Sequence, residues 1–321
     1  MLEFRTMRVF DATATREALA FDRLIPALGD MFAKGCQVPP RHVHEIGAAG
    51  AERLTSLIMP AWQGRYYGTK IINIAPGNAA RGLPGLHATY LLFDAVSGVP
   101  LALMDGDEIT ARRTAAASAL AATWLARADA SHLLVVGAGR VARLLPQAYC
   151  AVRAIEQITV WTRSAEKAEA LASELRNQGL PVTSALDLER AAGEADIVSC
   201  ATLADSPVIR GAWLKPGSHL DLIGSFTPAM READDDCFVG SALYVDTEEA
   251  LKKSGDLLGP IARGLVAAAD LRGTLETLAR GTASGRHDER ERTVFKSVGS
   301  ALEDLAAAIL VYESRPSGTT S

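Results

Sequence analysis

Apolar positions recur at helical spacing behind a candidate N-cap at Asp11, as far as Leu19, and again from Phe21 to Lys34. The pattern predicts two short amphipathic helices. After residue 54 it changes: Leu54–Met59, Arg65–Ala75, Ala88–Asp94 and Pro100–Met104 read as strands, divided by turn signals such as Pro76-Gly77-Asn78 and Ser97-Gly98. Short Gly-bearing connections predict antiparallel or mixed pairing, in the manner of a half-open barrel. A long Ala-rich helix is expected from Thr110 to Arg127, with Arg112 and Arg113 in its first turns. Cations there oppose the helix dipole unless an anion lies close by.

The middle of the chain alternates differently. Leu133 to Val136 is a continuous apolar run, as in a strand covered on both faces. A helix follows to Ala154, then a strand at Ile158–Trp161, a helix at Ala165–Asn177, and strands at Asp196–Ala201, Leu220–Ile223 and Ala242–Val245. This repetition predicts an α/β fold built on a doubly wound parallel sheet of Rossmann type. A C-terminal helix is expected over Val294–Tyr312 and a disordered tail over Ser314–Ser321. The expected division is a mixed α/β domain, residues 1–117 plus 300–321, enclosing a Rossmann domain at 118–299.

Composition narrows the function classes. The 321 residues suffice for about two domains, and 48% apolar with 22% charged residues is a globular balance. A net charge of −5 gives no excess of cations to release counterions from nucleic acid or to hold an anionic membrane surface. Cys36, Cys150, Cys200 and Cys237 stand singly, which indicates neither a disulfide framework nor a zinc site. Without an apolar run of membrane-spanning length or a signal-like N-terminus, the chain reads as cytoplasmic. Only seven of the basic residues are lysines, so a lysine in an apolar stretch stands out.

The first chemical signal is Gly137-x-Gly139-x-x-Ala142, directly after a predicted strand and opening a helix. The first glycine permits a tight turn, the second lets the backbone approach a pyrophosphate, and the small third residue lets helix and strand pack. The helix N-terminus supplies amide donors to phosphate. Gly137, Ala138, Gly139, Arg140 and Val141 are therefore expected cofactor contacts. About 20 residues on, where an NAD enzyme places an acid on the ribose, the chain has Thr162, Arg163 and Ser164. An arginine with two hydroxyls suits a 2′-phosphate, so NADPH is expected, with NADH possible.

The second signal is Lys70, between apolar residues of a predicted strand. Such a lysine either snorkels to water or reaches a buried anion. Arg41 and Arg113 are candidates to clamp a carboxylate. His42 and His44 would share one strand face; a metal site there lacks a third ligand, and no metal is expected.

Arg41, Gly68-Thr-Lys70, Ala75-Pro-Gly-Asn78 and Arg112-Arg113-Thr114-Ala-Ala precede the Gly137 motif, and Phe295-Lys-Ser-Val-Gly299 with Glu303-Asp304 closes the chain. This order resembles the ornithine cyclodeaminase/mu-crystallin family over essentially the whole length. The resemblance implies a first domain that binds substrate and forms a homodimer. It also implies a carboxylate clamp of Arg41, Lys70 and Arg113, cofactor contacts at Thr114, Thr202 and Ser297, and a substrate contact at Val298. Cyclodeaminases carry an aspartate where this chain has Phe226, in Gly224-Ser-Phe226-Thr-Pro228, and a threonine where it has Gly85. Phenylalanine cannot handle the second amine of ornithine. These stretches instead resemble the family's ketimine reductases, which reduce Δ1-pyrroline-2-carboxylate and Δ1-piperideine-2-carboxylate to proline and pipecolate. A cyclic imino acid is the implied small-molecule partner. Protonating its C=N makes it a better hydride acceptor, and Lys70 and His44 are the candidate acids. His87 is a further candidate for the pocket. A cyclodeaminase or alanine dehydrogenase of the same family, or a non-catalytic binding protein, are the alternatives.

Overall fold

The computed structural model describes residues 7–47 and 53–314. They form two units, one taking the described residues up to Arg113 and those from Ser300, the other running from Thr114 to Gly299. The expected disordered tail, beyond Ser314, lies outside the described residues.

The first unit begins with β1 (Arg8–Phe10), α1 (Ala12–Ala18) and α2 (Phe21–Lys34). Asp11 caps α1 by accepting the Ala14 amide at 2.8 Å. In α2 Phe21, Leu24, Ile25, Leu28, Met31 and Phe32 are buried, the 3–4 spacing of a single covered stripe. Strands β2 (His42–Ile46), β3 (Leu54–Gln63), β4 (Tyr66–Ile74), β5 (Leu86–Asp94) and β6 (Pro100–Asp105) follow. The sheet has the order β1-β6-β5-β4-β3-β2. Its one parallel pair is β1 with β6, and the others are antiparallel. It is an open sheet with β1 and β2 at its edges rather than the expected half-barrel.

Helix α3 (Gly106–Leu125) starts earlier than expected. A Cβ on Gly106 would lie 2.6 Å from the backbone of Ala88 and Thr89, so only glycine lets the chain turn so close to β5. Asp107 and Glu108 then occupy the first turn, and Arg112 and Arg113 fall in the second. The expected conflict with the dipole disappears. The division between the units falls within α3, before the expected boundary at residue 117. Arg113 bonds Glu303 and Asp304, whereas Ser118 bonds Asp221.

The second unit contains β7 (His132–Val136), α4 (Arg140–Cys150), β8 (Gln157–Trp161), α5 (Ala165–Asn177), β9 (Val182–Ser184), α6 (Leu188–Glu194), β10 (Ile197–Cys200) and β11 (His219–Leu222). It continues with β12 (Ala242–Val245), α7 (Ala250–Lys253), α8 (Gly255–Ala262), β13 (Leu271–Thr274), α9 (Leu275–Ala279) and β14 (Thr293–Lys296). All its pairs are parallel, in the order β13-β12-β14-β11-β10-β7-β8-β9. Strand order reverses between β7 and β10, the switch point at which doubly wound sheets bind ligands.

The chain then re-enters the first unit with α10 (Ala301–Glu313). The expected helix from Val294 is therefore corrected: Thr293–Lys296 is a central strand, wholly buried. Only Val294 and Phe295 of this strand are apolar, too few residues to set a strand period apart from the helix that follows. What separates them is the turn, where Gly299 has φ +79° and Ser300 caps α10 through the Leu302 amide. The three- and four-residue strands β1, β9 and β13 are too short to leave a pattern.

Candidate active site

In the first unit the alternation of β4 turns Lys70 onto the face packed by α10. The side chain is fully buried. Its ammonium lies 2.6 and 2.7 Å from the two carboxylate oxygens of Asp304. Arg113 joins the cluster, with Nε donating to Asp304 at 3.0 Å and Nη1 to Glu303 at 2.6 Å. Both acids sit in the first turn of α10, where the dipole favours negative charge. Burial pushes the Lys70 ammonium down to about 8, against the pull of Asp304 and with the help of Arg113. Lys70 is thus a cation held by its partners close to the pH at which it can give up a proton. Across the ladder its register partner is Tyr90, whose buried hydroxyl has no hydrogen-bond partner among the described residues. A side chain on Gly68 would strike that hydroxyl at 2.2 Å.

The register decides which other candidates can join Lys70. Met59, Lys70, Tyr90 and Met104 form one row across four strands. Continuing the His42–Ile58 register by one residue puts Arg41 in this row. His44, Ser56, Asn73 and His87 form another row. Asn73 is three residues from Lys70 on β4, so this second row faces the other side of the sheet. His44 and His87 are exposed there, and the expectation that they work beside Lys70 does not match this placement. Alternation along one strand gives no relation to a strand elsewhere in the chain until the register is known. The roles of Glu303, Asp304 and Tyr90 were not anticipated. The available signal was two adjacent acids opening an otherwise apolar helix.

In the second unit Gly137 has φ +126°, and a Cβ there would lie 2.5 Å from the Ala201 carbonyl oxygen. This glycine is required twice over, by conformation and by the approach of the β10 loop. A Cβ at Gly139 would meet nothing within 4 Å. Gly139 is the N-cap of α4 and offers no side-chain cap to the helix amides. Ala142, the small third position, is fully buried. The open cradle above a helix N-terminus fits a dinucleotide pyrophosphate. After β8, Thr162 accepts the Ser164 amide at 3.3 Å and Ser164 caps α5 at the Lys167 amide at 3.3 Å. Arg163 between them is exposed.

Thr202 follows β10 and Ser297 follows β14, so the expected cofactor residues other than Thr114 stand after the carboxyl ends of β7, β8, β10 and β14 of one sheet. Thr114 lies on α3. The turn at Ser297–Gly299 is anchored by Asp246, which accepts the Val298 and Gly299 amides at 2.7 and 2.6 Å. Thr202 is held by Glu232, which takes its amide at 2.7 Å and its hydroxyl at 2.8 Å. Neither acid was expected to act here. Phe226 lies beyond β11 and is 45% exposed. Among the described residues no group of three His, Cys, Asp or Glu side chains could hold a metal ion, and no helix is long and apolar enough to cross a membrane.

Comparison with known proteins gives the family and the fold. The sequence profile of the ornithine cyclodeaminase/mu-crystallin family matches residues 13–319. A Δ1-pyrroline-2-carboxylate reductase of Paracoccus denitrificans is 43% identical, over 87% of this chain and 89% of its own. The ketimine reductase mu-crystallin of Rattus norvegicus is 37% identical, over 78% and 76%. Among solved structures, the Thermococcus litoralis Δ1-pyrroline-2-carboxylate reductase in complex with NADH and L-proline superposes with a TM-score of 0.90 at 32% identity, covering 96% of this chain and 97% of that one.

Proposed function

The chain belongs to the ornithine cyclodeaminase/mu-crystallin family, and from that premise we propose that it is an oxidoreductase reducing cyclic imine 2-carboxylates: Δ1-pyrroline-2-carboxylate to L-proline and Δ1-piperideine-2-carboxylate to L-pipecolate. The observation that carries this reading is the buried Lys70–Asp304–Arg113 cluster, a charged acid and a guanidinium held in fixed geometry. Arg41 and Arg113 hold the substrate carboxylate. Lys70 gives a proton to the imine nitrogen and so makes the ring carbon electrophilic. Asp304 keeps Lys70 charged in an apolar surrounding. Bound NAD(P)H supplies the hydride that converts C=N to CH–NH. Phe226, in place of a carboxylate, leaves nothing there to handle a second amine, which favours imine reduction over cyclising deamination. The exposed edge strand β2, with Val43 and Ile46 56% and 52% exposed, fits a homodimer. The four free cysteines fit the reducing cytoplasm.

The test is NADPH oxidation with each cyclic imine against ammonia release from ornithine or alanine with NAD. Imine reduction supports the reading. Ammonia release without imine reduction establishes a deaminating enzyme, and inactivity toward all of them with cofactor bound establishes a binding protein.

NADPH is the preferred cofactor on this reading, because Arg163 and the hydroxyls of Thr162 and Ser164 suit a 2′-phosphate. Arg163→Asp is expected to weaken NADPH relative to NADH by about 10- to 100-fold, the worth of one charge-assisted hydrogen bond. Dissociation constants for the two cofactors measure it, and an unchanged ratio removes Arg163 from the assignment.

A further inference from the structure

Under the carboxyl edge of the Rossmann sheet lies an ionic cluster that the chemistry above does not use. Glu232, Asp256 and Lys296 are all fully buried. Lys296, the last residue of β14, places its ammonium 3.3 Å from Asp256 and 3.9 Å from Glu232. Asp256, in the first turn of α8, accepts the backbone amides of Glu232 and Ala233 at 2.8 and 3.1 Å. It therefore fixes the backbone on which Glu232 stands. The Glu232 carboxylate reaches two strand ends at once: one oxygen takes the Thr202 amide and hydroxyl after β10, the other takes the Gly224 amide after β11 at 2.6 Å. The two loops are in contact, since a Cβ on Gly224 would lie 1.8 Å from the Thr202 carbonyl oxygen. The Thr202 methyl in turn lies 3.6 Å from where a Cβ on Gly137 would stand. What Glu232 holds is thus one wall of the dinucleotide cradle.

Two buried carboxylates and one ammonium cost several kcal/mol in lost hydration, and apolar residues of similar volume would commonly be as stable. Stability alone is a poor reason for this cluster. Its donors give a better one, because only an acceptor with two oxygens can meet three donors from two different loops.

We propose that Glu232 is a positioning residue for the nicotinamide cofactor, its carboxylate tying the ends of β10 and β11 together so that Thr202 and the Gly137 turn keep the spacing that binds the dinucleotide. The inference rests on the cofactor part of the function proposed above and not on the imine. Protonation of Glu232 removes one of its acceptor positions and loosens that wall. Burial pushes this carboxyl up to about 7, with Lys296 opposing the rise and Asp256 adding to it. The ionisable groups facing it are Lys296 of β14, Asp256 of α8 and the Cys200 thiol of β10, and Lys296 also acts to lower Asp221 of β11. The sign follows. Above about pH 7 the carboxylate is ionised and the wall is held; below it the wall loosens and the cofactor binds less tightly. Simple relief of negative charge near an anionic ligand would act the other way.

The experiment is a fluorescence titration of the full chain with NADH, which lacks the titrating 2′-phosphate. Wild type is expected to lose about tenfold in affinity between about pH 8 and pH 6, a change of ~1.4 kcal/mol. Glu232→Gln is expected to bind about tenfold more weakly at pH 8, with a flat pH profile. Lys296→Met, which removes the counterion, moves the wild-type midpoint upward. Wild-type affinity that is constant or rises toward acid overturns the proposal, whether or not either variant folds. So does a folded Glu232→Gln protein with the wild-type profile. No imine enters the titration, so NADH binding without imine turnover counts against the substrate reading alone.

Discussion

Lys70→Met is expected to lower kcat for imine reduction by about 10²- to 10⁴-fold, the usual worth of a positioned general acid, while the dissociation constant for NADPH stays within about twofold of wild type. Methionine fills the volume of the lysine stem without its charge. Asp304 keeps a partner in that variant, since Arg113 Nε still donates to it at 3.0 Å, so folding survives the change. In wild type the pH dependence carries the same information. Lys70 donates while protonated, and its ammonium lies at about 8. The acid is in place below that value, and kcat falls as pH rises through it. The Lys70→Met protein loses this limb along with most of its rate. Steady-state kinetics across pH, with circular dichroism as the folding control, checks both. Wild-type turnover in the variant takes the acid role from Lys70.

Asp304→Ala acts on the same cluster from the other side, and its expected effect is on stability. The variant leaves the Lys70 ammonium buried without the carboxylate that bonds it, and takes from Arg113 its bond to Asp304. Breaking a buried ion pair at one end costs about 3–5 kcal/mol, because the remaining charge stays out of water. Lys70 has a second way out, which is to lose its proton. Without Asp304 nothing of comparable strength opposes the desolvation that already lowers it. The limb in kcat is therefore expected to move to lower pH in whatever fraction remains folded. Asp304→Asn, which keeps the shape and one acceptor, is expected to show the pH displacement with a smaller loss of stability. Urea denaturation and the pH profile read the two effects separately. A loss under about 1 kcal/mol for Asp304→Ala, in the range of exposed pairs, means that the pair does not carry the buried charge assigned to it.

The two signals that pointed to chemistry differ in how they were readable. Gly137-x-Gly139-x-x-Ala142 is contiguous, and the turn, the helix N-terminus and the small packing residue are all set within six positions. Local sequence therefore specified the cradle, and with it the parallel strands on either side. Lys70 was legible as an anomaly, a rare cation in an apolar strand and one candidate acid, but the anion that holds it was not. Asp304 lies 234 residues away, and nothing local relates a strand near residue 70 to a helix near residue 304. Phe226 could be read only against the family pattern, in which the cyclodeaminases carry an aspartate at that position.

His44 and His87 show the limit from the other direction. Their residue type suited an acid, yet the ladder puts them on the sheet face opposite Lys70. A strand's alternation assigns its own residues to two faces, but which face meets α10 is settled by pairing with the next strand. The stretch from Val294 to Lys296 reads as the start of the following helix because two apolar residues are too few to carry a period of their own. Glu232 and Asp246 have acceptors matched to amides on loops distant in sequence, and no local motif announces that match. By itself the sequence determined the Rossmann unit, the dinucleotide cradle and the rare lysine, because each is written in neighbouring residues. Only the tertiary structure decided which carboxylates hold Lys70, Thr202 and the Ser297 turn, because buried charges find their partners through packing across the chain.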